Sequence, residues 1–282
     1  MGGDNQETEV VEMWNTFDKL EDACFTGGDD SCGCLLGLGL SVSALCNNSK
    51  TEARAHVLTV LDKFQVHSTS PGDMAHQVLS VGLALIQSAA FSANIVSSDK
   101  VLSTVDKVIK DLGEAPQSAG IAMAAGTLLY NLTRAGITGI TDFQVQLHQT
   151  WTKNLTSSES PPLLKVAAMT GLMALIGSQK ALTSSTEPLS MALGDVNVDE
   201  VIQVMTQVVS VGDDIGIQNS AAWMLGNHYL SVSSVSETRT SETRTSGMSL
   251  IISGTRTSGM SLIISGTRTS GMSLILSETR TS

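Results

Sequence analysis

Two kinds of apolar segment alternate along this chain. One kind is rich in Ala and Leu and apolar nearly all round, as in residues 118–132 (SAGIAMAAGTLLYNL). The other kind is amphipathic, as in residues 98–112, where apolar side chains recur at helical spacing along one face. A helix that is apolar all round is buried, whereas an amphipathic helix meets water on one side. The alternation therefore predicts helix pairs, each with one buried and one half-exposed member.

A glycine lies near the centre of each of the five segments that are apolar all round. Their successive spacings are 43, 44, 45 and 55 residues, for Gly39, Gly82, Gly126, Gly171 and Gly226. An insertion at about residues 177–197 accounts for the longest spacing. Two helices in about 44 residues is typical of HEAT and armadillo repeats. The pattern predicts an all-α fold, an α-solenoid of about five HEAT/armadillo-like helix pairs.

The five glycines are predicted to serve helix packing. A glycine inside a helix costs about 1 kcal/mol relative to alanine, and that cost is tolerable where neighbouring backbones approach closely. The alternative is that glycine occurs in an Ala-rich core without a role. Under the packing hypothesis, Gly126→Leu overpacks the core and destabilises the protein by about 1–3 kcal/mol.

The chain divides into three regions. Residues 1–9 are polar and acidic and are predicted to be disordered, and residues 10–232 form the solenoid. Residues 233–282 are low in complexity and contain a twelve-residue unit, SGMSLIISGTRT, in tandem copies. Such near-identity indicates recent duplication or a faulty gene model, so this tail is predicted to be disordered or non-native. The alternative is a small β-meander of SLIIS strands joined by SG turns.

Composition limits the classes of function. The net charge is −11 and the sequence has no basic stripe, so direct nucleic-acid binding is not expected. The longest apolar run, residues 34–46, is shorter than the roughly 20 residues that a membrane span requires. The acidic N-terminus is unlike a signal peptide. A cytoplasmic location follows, with buried, reduced thiols at the four cysteines, Cys24, Cys32, Cys34 and Cys46.

No catalytic or ligand-binding motif stands out. The five histidines occur singly, and we expect them at the surface or in a groove. Asp213 and Asp214 precede an apolar helix and are interpreted as capping residues. Trp223 is interpreted as a core residue. The sequence therefore predicts a protein that is not an enzyme and binds no cofactor or metal.

Two segments resemble the focadhesin family. Residues 216–231, GIQNSAAWMLGNHYLS, look like a segment of that family, and residues 31–49 are compatible with it. The resemblance covers about residues 10–232. It implies an armadillo- or HEAT-like array without catalytic residues, an intracellular scaffold at focal adhesions, and vinculin as a partner. Members of the family are much longer, so the chain is interpreted as a fragment or a faulty gene model.

The sequence thus favours a non-enzymatic scaffold that binds proteins through its inner-helix ridge or its inter-repeat loops. One alternative is a trafficking or transport solenoid of the adaptor or importin type that binds peptide or protein cargo. An importin-like groove requires a regular Trp/Asn ladder, and Asn131 and Asn219 stand at different offsets from their glycines. The other alternative, a helical enzyme domain, requires a clustered acid/base or metal set.

Overall fold

The computed structural model describes most of the chain, in separate segments. These are residues 16–25, 32–47, 51–66, 73–178, 196–212, 214–237, 250–255, 260–264 and 275–279. The predicted disordered N-terminus, residues 1–9, and most of the predicted insertion lie outside them. The predictions for those two stretches therefore stay untested.

Ten helices lie in the described residues. They are α1 (residues 16–25), α2 (Cys32–Leu45), α3 (Thr51–Val66), α4 (Met74–Ser92), α5 (Ser98–Glu114), α6 (Ala119–Arg134), α7 (Thr141–Thr156), α8 (Pro162–Leu175), α9 (Val198–Val211) and α10 (Ile215–Glu237). The predicted all-α class is confirmed for this helical part. The chain separates into two compact units, Met1–Ile140 and Thr141–Ser282.

In the first unit, the helices that are apolar all round form one layer. α4 packs between α2 and α6, and these three are called the inner helices. The amphipathic helices α3 and α5 pack against this layer and are called the outer helices. The outer helices are also joined to each other, since Lys100 Nζ donates to Asp62 Oδ1 at 2.7 Å. The pairing of one buried with one half-exposed helix matches the hydrophobic pattern.

Helix α4 is the most enclosed of the inner helices. Every residue from Leu79 to Ser88 is buried, because α4 has neighbours on several sides. By length and composition α4 is also the one helix among the described residues that could cross a membrane. Two thirds of that stretch, 67%, is buried inside the protein, as in the core helix of a soluble protein. The hydropathy of α4 is thus accounted for by its place in the inner layer.

Helix α5 shows how an outer helix is held by one face. Its buried residues are Val101, Thr104, Val105, Val108 and Leu112. They recur at three- and four-residue steps and so share one side of the helix. The following turn leads to α6, which begins after Ser118, whose hydroxyl oxygen accepts from Ile121 N at 3.3 Å. This N-cap fixes where the next inner helix starts.

The second unit contains the same two kinds of helix. α8 packs against α7 and α10, and α10 packs against α9. α8 begins at Pro162, a position where the missing N–H costs no helical hydrogen bond. Asn197 caps α9 by accepting from Asp199 N at 3.0 Å. The spacing of apolar residues along residues 198–211 predicts an amphipathic helix with these bounds, and α9 confirms it.

Three strands lie within the region predicted as a disordered tail. They are β1 (Leu250–Thr255), β2 (Met260–Ile264) and β3 (Ile275–Thr279). β1 is central, antiparallel to β2 and parallel to β3. The parallel pair distinguishes this sheet from the β-meander considered as the alternative, in which all neighbours are antiparallel. The prediction of a disordered tail is not confirmed by these residues.

Candidate functional site

The inner helices α2 and α4 are in close contact at two glycines. A Cβ atom placed on Gly39 would lie 2.7 Å from the Cα atom of Gly82. A Cβ atom placed on Gly82 would lie 2.5 Å from Cε1 of Phe64, on the outer helix α3. Real Cβ atoms do not approach other atoms this closely, so any side chain would force the neighbouring helix or ring to move. Glycine, whose side chain is a single hydrogen atom, permits the observed crossing at both positions.

The second unit uses a glycine in the same way. A Cβ atom on Gly171 of α8 would lie 2.6 Å from the ring of Trp151, which α7 contributes to the core. Gly126 is buried within α6. Gly226 differs, since a Cβ atom there would have nothing within 4 Å, and the packing role predicted for it has no support in this structure.

One close approach was not predicted from the sequence. Gly120, in the first turn of α6, would bring a Cβ atom to 2.5 Å from Cβ of Gln77 on α4. Gly120 N also donates to Gln77 Oε1 at 3.1 Å. The sequence signal was present, because Gln77 and Gly120 stand 43 residues apart, close to the repeat period.

A histidine and an aspartate form a pair beside a small cavity between α3, α4 and α5. His76 Nε2 lies 3.2 Å from Asp111 Oδ2, and both side chains are largely buried. The cavity has an empty volume of about 280 Å³ including its open mouth. Ser80 lines it too, but its hydroxyl donates to the main-chain oxygen of His76 at 2.8 Å. The hydroxyl is therefore directed to the helix backbone, and no activated serine results.

This pair corrects the expectation for the histidines. His76 and His228 are buried, at 8% and 3% exposure, so a surface or groove position is wrong for both. Nothing within a short stretch of sequence indicates the pairing of His76 with Asp111, since they belong to different helices. Burial lowers the pKa of His228 below the usual value. A buried neutral imidazole is consistent with a structural role.

One group of side chains in the described residues has the composition of a metal site. The ligand atoms of Asp18, Glu21 and His56 lie within 4.8 Å of one another. However, the Lys63 ammonium is in direct contact with the Glu21 carboxylate. A buried carboxylate is stabilised by a nearby cation, and Lys63 supplies one. The group is therefore explained as a link between α1 and α3. The rings of Phe17 and His56 also contribute to this link, since they meet edge to face with their centroids 5.0 Å apart.

The cysteines are all free thiols, as the sequence predicted, but they are not all buried. Cys24 and Cys46 are buried, whereas Cys32 and Cys34 are partly exposed. Burial, with a smaller contribution from Cys34, raises the pKa of Cys24 to about 12.

Trp223 corrects another expectation. Its side chain is 68% exposed on α10, although the sequence interpretation placed it in the core. Trp151 shows the opposite outcome, at 3% exposure. At the start of α10, Asp214 Oδ1 accepts from Gly216 N at 2.7 Å and from Ile217 N at 3.1 Å. The predicted capping role of Asp214 is confirmed, and Asp213 lies outside the described residues.

Comparison with known proteins places the chain beside proteins of one name. The family model described as Focadhesin matches residues 106–263. Human focadhesin is 31% identical over 241 residues, which is 84% of this chain and 13% of the human protein. Mouse focadhesin is 32% identical over 81% of the chain, and zebrafish (Danio rerio) focadhesin is 31% identical over 79%. No solved structure matches the chain significantly.

The fold and the site thus define a protein whose main body is built of packed helices, with polar clusters that, among the described residues, link one helix to another. The chain belongs to the focadhesin family. It spans only 13% of the length of the relatives it matches. The predicted family resemblance is therefore confirmed, and the chain corresponds to a part of its longer relatives.

Proposed function

We propose that this chain is a non-enzymatic scaffold that binds other proteins through an α-solenoid of HEAT/armadillo-like helix pairs, with a period of about 44 residues. The observation that carries the proposal is the layering of the first unit. α2, α4 and α6 lie side by side, and α3 and α5 cover them. Arrays of this kind offer extended surfaces for protein binding and need no pocket.

The surface chemistry supports a protein partner. Exposed apolar side chains are found on several helices, with Trp223 at 68% and Leu163 at 63% exposure. Exposed tryptophan is common among the residues that contribute most to protein interfaces. By family membership, the partner proposed first is vinculin, in the cytoplasm at focal adhesions. The name of the relatives, focadhesin, is compatible with that location. Because the chain spans only part of these longer relatives, the partner and the location are proposed for it and rest on family membership.

A binding experiment tests this function. The purified full chain, immobilised through a terminal tag, is exposed to purified vinculin, and association is followed by biolayer interferometry. Saturable binding that persists at moderate salt supports the scaffold at adhesions. Albumin serves as the control analyte.

The outcomes separate the proposal from its alternative. Binding to neither vinculin nor any protein recovered by affinity purification and mass spectrometry would overturn the scaffold function. Selective binding of basic cargo peptides, which the net charge of −11 would attract, would favour a trafficking solenoid instead.

A further inference from the structure

The three strands of the tail are copies of one short sequence. The twelve-residue unit places SLII at residues 249–252 and again at 261–264, and SLIL at 273–276. β1, β2 and β3 each draw on a different one of these copies. The sheet is therefore built by one sequence that pairs with itself.

The registers of the sheet follow the repeat. β1 and β3 are parallel, and Ile251 lies opposite Ile275, which holds the same position two units further along the chain. β1 and β2 are antiparallel, and Ile251 lies opposite Ile263, the same position of the next unit. Equivalent residues thus face each other in both pairs. The unit accepts a copy of itself in either direction, and such in-register pairing of identical segments is typical of cross-β assemblies.

The two outer strands of this sheet differ in charge. The strand order is β2-β1-β3, so among the strands that the structure describes β2 and β3 each have one edge without a partner strand. An unpaired edge presents N–H and C=O groups that another chain can bind. β3 contains Glu278, and a charged residue on an edge strand discourages such pairing. β2 (Met260–Ile264) contains neither a charge nor a proline, so its edge is the less protected of the two.

We propose that the outer edge of β2 binds the same edge of a second copy of this chain, so that two tail sheets join into one continuous sheet. The choice of partner follows from the observed pairing, because β2 already pairs with an identical repeat unit in β1. Two identical edges related by a two-fold axis run antiparallel, which is the direction in which β1 and β2 pair. Main-chain hydrogen bonds between the edges supply the affinity.

The test is analytical ultracentrifugation of the full chain over a wide range of concentration. The mass of wild type is expected to rise from the 29.5 kDa of one chain to at least twice that value. Ile263→Lys and Ile263→Glu each bring like charges together where two β2 strands meet, so each variant alone should stay a single chain. An equimolar mixture of the two variants should associate again, because opposite charges then meet across the joined edges. A β2 strand that had merely lost its structure would not be rescued in this way.

Ile275→Lys is the matched control, since Ile275 holds the same position of the unit in β3. We expect this variant to associate as wild type does. A wild type that remains a single chain at every concentration would overturn the proposal. Undiminished association of both Ile263 variants would overturn it as well, because another surface would then join the copies. Failure of the mixture to associate, or an equal loss in Ile275→Lys, would contradict the assignment to the edge of β2.

Discussion

Gln87 is a fully buried amide inside the inner helix α4. In the part of the chain that the structure describes, neither its side-chain oxygen nor its nitrogen has a hydrogen-bond partner. Leaving a buried polar group unsatisfied costs about 1–3 kcal/mol. Gln87→Met keeps the length of the side chain and removes the amide, so we expect the free energy of unfolding to rise by about 1 kcal/mol. Urea denaturation followed by circular dichroism measures this change.

Gln77 is the matched control for that substitution. It also lies on α4, but its Oε1 accepts from Gly120 N, so Gln77→Met removes a hydrogen bond between inner helices. We expect this variant to be destabilised. Equal effects of the two substitutions would show that the hydrogen-bonding state of the side-chain amide does not decide the outcome.

We expect the burial of His228 to make stability depend on pH. Burial lowers its pKa in the folded chain below the usual 6.5. Between the lowered pKa of the folded chain and the usual value, the unfolded chain binds the proton more readily than the folded chain does. The protein therefore has its full stability, as far as His228 is concerned, above about pH 6.5, and stability decreases as the pH falls below that value. The melting temperature should therefore fall from about pH 7 to about pH 5. His228→Leu should reduce the slope, and identical slopes in wild type and variant would contradict this.

The crossing of the inner helices is set by glycine, and alanine substitutions separate the glycines into two groups. Gly39→Ala places a Cβ atom against the backbone of Gly82, which cannot yield as a flexible side chain can. We expect destabilisation by about 1–3 kcal/mol. Gly226→Ala meets nothing within 4 Å and gains helix propensity, so we expect a neutral effect or a gain of up to about 1 kcal/mol. Thermal melting of both variants measures these effects. If Gly226→Ala melted at a lower temperature than Gly39→Ala, the packing role assigned to Gly39 would be disproved.

Local pattern was sufficient to predict the helices of the solenoid region, whereas the polar contacts between them were not predictable. The bounds of α9 and the burial of one face of α5 follow from the spacing of apolar residues along a single helix. The pairing of His76 with Asp111 depends on the rotation of two separate helices, which no short pattern records. Trp223 was misplaced for a related reason, because burial of a large residue requires a neighbouring element on its side of the helix.

At the scale of the whole molecule, binding of a partner should depend on exposed rather than buried aromatic residues. Trp223 is 68% exposed, so Trp223→Ala removes contact area without opening a cavity. If α10 contributes to the interface with vinculin or another protein partner, the dissociation constant should rise about tenfold or more, since such residues contribute about 2 kcal/mol. Biolayer interferometry gives the constant, and the melting temperature should be unchanged.

Two substitutions provide the controls for this experiment. Leu163→Ala alters another exposed apolar residue, on α8, and measures the effect of removing surface area without an aromatic ring. Trp151→Ala removes the ring that lies against Gly171 and should lower stability by about 3–5 kcal/mol. A stable Trp223→Ala variant with wild-type affinity would place the interface elsewhere on the chain. Loss of binding in Trp223→Ala alone would locate it on α10, because the folded state of that variant is intact.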